Sequence, residues 1–413
     1  MSWRLSFILV VVVGMLLPGS ASLAKGDQLQ VVASHGILAE VARNVAGDAA
    51  EVSTLIPIGA DPHAFSPTPS DLIAVAEADL VIINGGGYEE ALIDAIASAG
   101  EGGNIVNASA CVQIRPFGAG MSHDDPEHED EHADEHDDDH MDEHDDDDHM
   151  DEHDVDDHAD EHDDDDHADE HDDDDHADEM AGEIDCDAYD AEFAAIVGED
   201  EGGHAHFETL GRGKDIACLG AHEHGGDHEH GEGACDPHLW MDPHNVIYWA
   251  LMIRDSLSAL DHDNEDAYAA NAAAYARELV ALEAEFILPT LEALPEEKRV
   301  LITSHEALGY FATTFGFEII TTVVPGMATM VEPSARDVAA MIDKVRDEGV
   351  PAIFSDTHLS DVLIQTIAAE TGIEVVGLYS DALSDADGPA ATYLDYMRYN
   401  VSTIVEALQG DWR

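Results

Sequence analysis

Between Met141 and His176 a nine-residue unit repeats four times, as MDEHDDDDH, MDEHDVDDH, ADEHDDDDH and ADEHDDDDH. Apolar residues recur there at neither the helical nor the strand period, and consecutive aspartates repel one another and compete with the backbone for hydrogen bonds. Disorder is therefore expected, and no packed core can be built from this stretch. The wider segment from His123 to Glu179 holds 36 of the chain's 92 acidic residues and 13 of its 26 histidines, with no Lys or Arg. A second His-rich segment, from Gly202 to Asp236, carries His204, His206, His222, His224, His228 and His230 among glycines and acids and also reads as loop. Any folded core must come from the segments that flank these two.

The whole chain has 15 basic against 92 acidic residues, a formal charge of −77. Nucleic acid and anionic lipid are bound by Lys and Arg that neutralise phosphate, so this chain is repelled by both and its natural partners are cations. The acid excess persists outside the repeats, with four Lys in all, which fits a protein exposed to high salt, where screening weakens self-repulsion.

Arg4, an apolar run from Phe7 to Leu17, a Pro18-Gly19 break and small residues at Ser22 and Ala24 read as a secretory signal cleaved near Ala24. The run falls short of the roughly 20 apolar residues a bilayer span needs. No Cys precedes Cys111, so an N-terminal lipid-anchored Cys is not expected. The mature protein is expected to be soluble, exported and monomeric. The four cysteines, Cys111, Cys186, Cys218 and Cys235, are too few for a disulfide scaffold of this length. Export permits one or two bridges in the middle third of the chain, Cys218 with Cys235 being the first choice, although sequence leaves the pairing open.

From Leu29 to Ile114 strand-like and helix-like segments alternate: Gln30 to Ala33, Val52 to Ile56 and Leu80 to Ile83 as strands, Ile37 to Val45 and Asp71 to Glu77 as helices. Pro67-Thr68-Pro69-Ser70 supplies a turn and an N-cap. Asn84-Gly85-Gly86-Gly87 ends a strand in a loop that lets backbone approach something closely. A helix over Asn245 to Leu260 and a long helical pattern with Tyr268, Ala272, Tyr275, Leu279, Leu282 and Phe286 on one stripe come next. A second alternating set then runs from Val300 to Ala407, opening with a strand over Val300 to Thr303 and a helix over Glu306 to Phe315. The fold class implied is α/β, two lobes with parallel sheets joined by a long rigid helix. The expected organisation is a signal peptide over 1–24, an N-terminal lobe over 27–262 containing a disordered His/Asp-rich insertion over 120–235, a linking helix over 264–288 and a C-terminal lobe over 298–413.

Open α/β sheets bind ligands beyond the carboxyl ends of their strands. Four metal-capable side chains stand in or near such places: His63 in GADPHAF, His238 in DPHLW, His305 after the strand Val300 to Thr303, and Asp381 after the strand ending near Leu378. Three imidazoles and one carboxylate suit zinc. A lone His after a strand is more often a surface or capping residue, and spacing alone does not make a site.

The words around these residues occur in a fixed order: DPHAFSPTPSD, DPHLWMDPHN, SHEALGYFATTFGFE, EPSARD, LYSDALSD and TYLDYMRYN. This resembles the zinc and manganese solute-binding proteins of metal ABC importers, over residues 27 to 413 apart from the His/Asp insertion. The resemblance implies two α/β lobes bridged by a rigid helix, metal held in the cleft between them, and His63, His238, His305 and Asp381 as its ligands. It also implies a periplasmic location and an ABC permease as partner. Manganese relatives usually place Glu where His305 stands, and the harder ion prefers oxygen, so His305 tilts the cargo to Zn2+ with Mn2+ as the alternative. Asp356 stands where relatives commonly have Glu. His35 and His358 are extra histidines, expected on the surface or behind the ligands, whereas His244, in the second DPH of DPHLWMDPHN, opens a helix, and His238 has the matching context for a ligand.

Zinc-type members often carry a charged His-rich loop where this chain has its repeats. The functional reading is a low-affinity zinc collector acting through effective concentration; the bland one is a solvated linker. Two other classes compete with transport. A secreted zinc hydrolase would need an open coordination position and a general base, whereas His63, His238, His305 and Asp381 already fill the four positions of a tetrahedral zinc. An extracellular metal buffer would need no folded lobes.

Overall fold

The computed structural model describes residues 28–57, 59–60, 65–89, 92–99, 104–118, 184–198, 209–216, 218, 235–323, 335–357 and 362–410. The signal segment, the nonapeptide repeats, His63 and His358 lie outside the described residues.

In the N-terminal lobe the elements run β1 (Leu29–Ala33), α1 (Gly36–Ala46), β2 (Ala50–Thr54), α2 (Pro69–Glu77), β3 (Leu80–Ile83), α3 (Ile93–Ala99) and β4 (Asn104–Asn107). The four strands form a parallel sheet in the order β2-β1-β3-β4. Thr68 caps α2 through a capping box with Asp71, and Pro69 opens the helix where its missing N–H costs nothing. A short antiparallel pair, β5 (Gln113–Ile114) and β6 (Gly211–Arg212), encloses α4 (Cys186–Val197) in sequence.

α4 and β6 fall inside the 120–235 stretch that was expected to be irregular, and the reason is local. Asp185 caps α4, accepting from Ala188 N; Phe193 stacks on Tyr248 at 4.8 Å; and Cys111 is disulfide-bonded to Cys186. Cys218 pairs with Cys235 as the sequence suggested.

The helices α5 (Pro243–Leu260) and α6 (Glu265–Leu282) follow; α6 continues through a π turn, Glu283–Ile287, into α7 (Leu288–Leu291). At about 1.5 Å per residue this helical rod is roughly 40 Å long. Of the expected stripe, Tyr268, Ala272, Tyr275, Leu279 and Leu282 are buried and Phe286 packs against the same core. Pro289 has no N–H for the carbonyl four residues back, and in a regular α-helix its ring would press on that carbonyl; the widened π turn just before it accommodates both.

The C-terminal lobe comprises β7 (Val300–Thr303), α8 (Gly309–Phe315), β8 (Glu318–Thr322), α9 (Ala335–Glu348), β9 (Ala352–Asp356), α10 (Val362–Thr371), β10 (Glu374–Leu378) and α11 (Tyr393–Leu408). Its parallel sheet has the order β10-β9-β7-β8. Read from the other edge this is β8-β7-β9-β10, the same sequence of steps as β2-β1-β3-β4. Each sheet therefore reverses direction between its first and third strands, which is where open α/β sheets bind ligands. One hydrophobic cluster runs through both lobes, from Val31 and Ile37 through Tyr268 and Leu279 to Ile404 and Leu408. Among the described residues no helix is long and apolar enough to cross a membrane.

Candidate metal centre

His305 is placed by β7. The strand ends at Thr303, Ser304 N donates to Phe354 O of β9 at 2.8 Å, and the chain then leaves the sheet with His305 3 % exposed. The His305 Nδ1 lies 3.3 Å from Ser304 Oγ, which leaves Nε2 as the nitrogen directed elsewhere. The helix expected from Glu306 begins only at Gly309, because residues 304–308 form the loop that sets out the imidazole.

His238 is placed by its own tripeptide. Asp236 Oδ1 accepts from His238 N at 3.0 Å and stands 2.8 Å from His238 Nδ1, so the ring carries its proton on Nδ1 and keeps a lone pair on Nε2. The other oxygen, Oδ2, accepts from Arg115 Nη1 at 2.6 Å. Burial alone would push the Asp236 carboxyl up, but the His238 hydrogen bond and charge, together with Arg115, hold it below the usual carboxylate range. Arg115 is itself buried, and its backbone N–H donates to Tyr310 Oη at 3.1 Å. A Cβ on Gly309 would collide with Arg115 Nη1, so only glycine fits there.

Asp381 follows β10. Ser380 N donates to Asp356 Oδ2 at 3.1 Å, and the Ser380 hydroxyl donates to the same oxygen. Ser380 O accepts from Trp240 Nε1 at 2.8 Å and from the Tyr396 hydroxyl at 2.7 Å. Asp356 thus braces the loop that carries Asp381.

Held this way, His238 Nε2 lies 3.6 Å from Asp381 Oδ1, and His305 Nε2 lies 3.2 Å from Asp381 Oδ2. One donor atom from each of His238, His305 and Asp381 lies within 4.8 Å of the others, and this is the one group of three or more such side chains among the described residues. A tetrahedral ion with bonds of about 2.0–2.2 Å separates its donors by roughly 3.3–3.6 Å. The two nitrogen–oxygen separations, each to a different oxygen of Asp381, lie close to that edge length, and the donors of all three side chains stay within 4.8 Å of one another.

The structure thus brings together three of the four side chains singled out in the sequence, and His63 falls outside the described residues. The extra histidines part ways. His244 turns from the centre: its Nδ1 lies 2.9 Å from Asp242 Oδ1 and its Nε2 3.0 Å from Glu283 Oε2. Burial opposes its charge, but these two carboxylates carry its pKa up to about 10, making it a cation that ties α5 to the π turn. His35 is buried beside Trp240 and Tyr88. Glu306 has its carboxyl pushed up to about 8 by burial and by the Asp236 charge, so at neutral pH its proton keeps further negative charge away from the centre.

Sequence reasoning did not identify Asp236, Arg115 or Asn84 as supports. The signal for Asp236 was present, since an Asp two residues before His recurs in all three DPH words of the chain. The Gly-rich turn has the role foreseen for it. Gly85, Gly86 and Gly87 have φ of 81°, 62° and 83°, and a Cβ on Gly86 would meet Leu239 and the backbone of Asp236 and Pro237. The turn lets β3 lie directly against the segment that carries His238.

The family described as zinc-uptake complex component A, periplasmic, matches residues 31–407. The manganese-binding lipoprotein MntA of Halalkalibacterium halodurans is 24 % identical over 384 residues, covering 93 % of this chain and 89 % of its own. The manganese ABC transporter substrate-binding lipoprotein PsaA of Streptococcus mitis is 23 % identical over 403 residues, with 97 % and 96 % covered. In fold the chain is similar to the periplasmic zinc binding protein TroA of Treponema pallidum, with a TM-score of 0.61 at 20 % identity and coverage of 92 % and 99 %. It is also similar to the Mn-bound periplasmic metal binding protein from Candidatus Liberibacter asiaticus, with a TM-score of 0.57 at 22 % identity and coverage of 92 % and 99 %. With its matched span covering nearly the whole chain, the protein belongs to the periplasmic zinc-uptake component A family, a family of substrate-binding proteins of metal ABC importers and not of enzymes.

Proposed function

We propose that this protein captures Zn2+ as cargo outside the cytoplasmic membrane and delivers it to the permease of an ABC importer. His238, His305 and Asp381 hold the ion, and His63 supplies the remaining nitrogen. The observation that carries this reading is the spacing of the three donors: 3.2 and 3.6 Å between imidazole nitrogens and carboxylate oxygens, buried where the two lobes share a core. Two imidazoles in a buried pocket suit zinc better than manganese, which favours oxygen. Asp236 supports the same reading by fixing the tautomer of His238, which leaves its Nε2 for the ion. The long rod α6–α7, buried along one stripe in the common core, favours small lobe motions on capture and release.

Manganese is the second reading, favoured by the names of the relatives MntA and PsaA. Competitive titration with zinc and manganese, repeated on His305→Glu and His63→Ala, separates the two. Zinc preference in the native chain, reduced in His305→Glu and weakened overall in His63→Ala, supports the assignment; a native preference for manganese, or an unmoved ratio in His305→Glu, overturns it. The His/Asp repeats act in this reading as a low-affinity collector. Deleting residues 123–179 then removes weak zinc sites and leaves one tight site, and weak sites that persist unchanged defeat that part. N-terminal sequencing of the exported protein tests cleavage near Ala24.

A further inference from the structure

The two lobes place the same dipeptide at the same point of the same topology. In the N-terminal sheet β1 ends at Ala33 and is followed by Ser34-His35; in the C-terminal sheet β7 ends at Thr303 and is followed by Ser304-His305. Two backbone hydrogen bonds that anchor each dipeptide to its sheet correspond. Ser34 N donates to Ile82 O of β3 as Ser304 N donates to Phe354 O of β9, and Leu55 N donates to Ala33 O as Val323 N donates to Thr303 O. Both histidines therefore leave their sheets at the reversal point between first and third strands. His35 is the N-lobe counterpart of His305.

The protonation of His35 follows from its neighbours. Asn84, which succeeds β3, donates its amide nitrogen to Gly85 O at 2.7 Å and to Pro237 O at 3.0 Å. Two carbonyl acceptors fix that amide, so the Oδ1 faces His35 Nε2 at 3.3 Å and the imidazole must donate from Nε2. Its Nδ1 then carries a bare lone pair. That atom is buried and has no hydrogen-bond partner among the described residues, an unfavourable state for a polar atom unless the protein uses it. Burial depresses the His35 pKa to about 3, against the opposing pull of the Asn84 hydrogen bond and of the Asp381 charge. The ring is therefore neutral at any pH where the protein works and stands within the electrostatic reach of the carboxylate of the metal centre. Trp240 links the two imidazoles, its ring lying 5.0 Å from that of His35 and 5.5 Å from that of His238.

We propose that His35 Nδ1 is a further nitrogen donor to the cargo ion, supplied by the N-terminal lobe as His305 is supplied by the C-terminal one. His35 is not among the three side chains whose donor atoms lie within 4.8 Å of one another, so it joins them by a shift of the ring or of β1 toward the ion. An added imidazole makes the donor set richer in nitrogen and favours zinc over manganese. The inference rests on the cargo reading of the centre formed by His238, His305 and Asp381.

The test is nitrogen NMR of the full chain labelled with 15N-histidine, before and after one equivalent of Zn2+, with His35→Gln identifying the His35 lines. The metal-free protein should show His35 with Nε2 protonated and Nδ1 bare. Zinc should move the Nδ1 line to the metal-bound position, along with the Nε2 lines of His238 and His305. The His35→Gln variant, its fold checked by circular dichroism, should lose about tenfold of the zinc-over-manganese preference. If the His238 and His305 lines move while the His35 Nδ1 line stays bare or shows only hydrogen bonding to water, this inference is overturned and the cargo reading stands. If none of the three moves, the cargo reading fails and takes this inference with it.

Discussion

Asp236 Oδ1 lies 2.8 Å from His238 Nδ1, and through that contact a buried carboxylate sets which nitrogen of the imidazole is left for the metal. The same Asp236 neutralises Arg115 with its second oxygen, so one side chain couples the metal centre to the β5 loop. In Asp236→Asn an amide N–H faces Arg115 and the ring loses its anionic partner. Zinc affinity should fall by about 10- to 100-fold and stability by about 3 kcal/mol, from the buried guanidinium left uncompensated. Chelator competition and urea unfolding measure the two effects.

His244 should make stability depend on alkaline pH. Its folded pKa is raised to about 10 from an ordinary 6.5, so the stabilisation it contributes is complete below about pH 6.5 and is lost as the pH rises toward 10. His244→Gln should cost about 3 kcal/mol at pH 6, and the gap from the native protein should narrow steadily up to pH 10. Urea midpoints measured across that range check it; a constant gap would remove the charge from the explanation.

Gly309 is tested by a single methyl. In Gly309→Ala the new Cβ drives into Arg115 Nη1 and Asp236 Oδ2. The expected loss is about 1–3 kcal/mol from overpacking, with weaker zinc binding because Asp236 is displaced. Thermal unfolding in the presence and absence of zinc reads both.

The Cys218–Cys235 bridge closes a loop with a sequence separation of 17 directly before Asp236. Replacing both cysteines by serine should lower stability by about 3 kcal/mol, whereas the Cys111–Cys186 pair, with a separation of 75, should cost somewhat more. Differential unfolding of the two double variants ranks them.

Much of the fold was legible because its signals are local. The alternation of apolar runs with helical stripes marked both parallel sheets, and the Tyr268-to-Phe286 stripe marked the helical rod. Boundaries shifted where the centre claims the residues, as at Glu306, where helix propensity yields to the loop that presents His305. α4 went unseen because what holds it, the Cys111 bridge and the stacking of Phe193 on Tyr248, comes from residues distant in sequence. Of the candidate site, His305 and Asp381 could be named in advance from their place after strands and their surrounding words, and His238 from its words before a long helix, while the buried supports around them could not.

The two DPH words among the described residues, at Asp236 and Asp242, show where that limit falls. In each, an Asp accepts from the backbone N–H and the ring Nδ1 of the His two residues on, a geometry within reach of three adjacent residues and so written in the sequence itself. Which partner meets each Nε2 is a different matter: Asp381 for His238, Glu283 for His244. That choice makes one a candidate metal donor and the other a structural cation. It depends on how two sheets and a long helix pack, because these carboxylates arrive from elements remote in the chain and only the shared core brings them there.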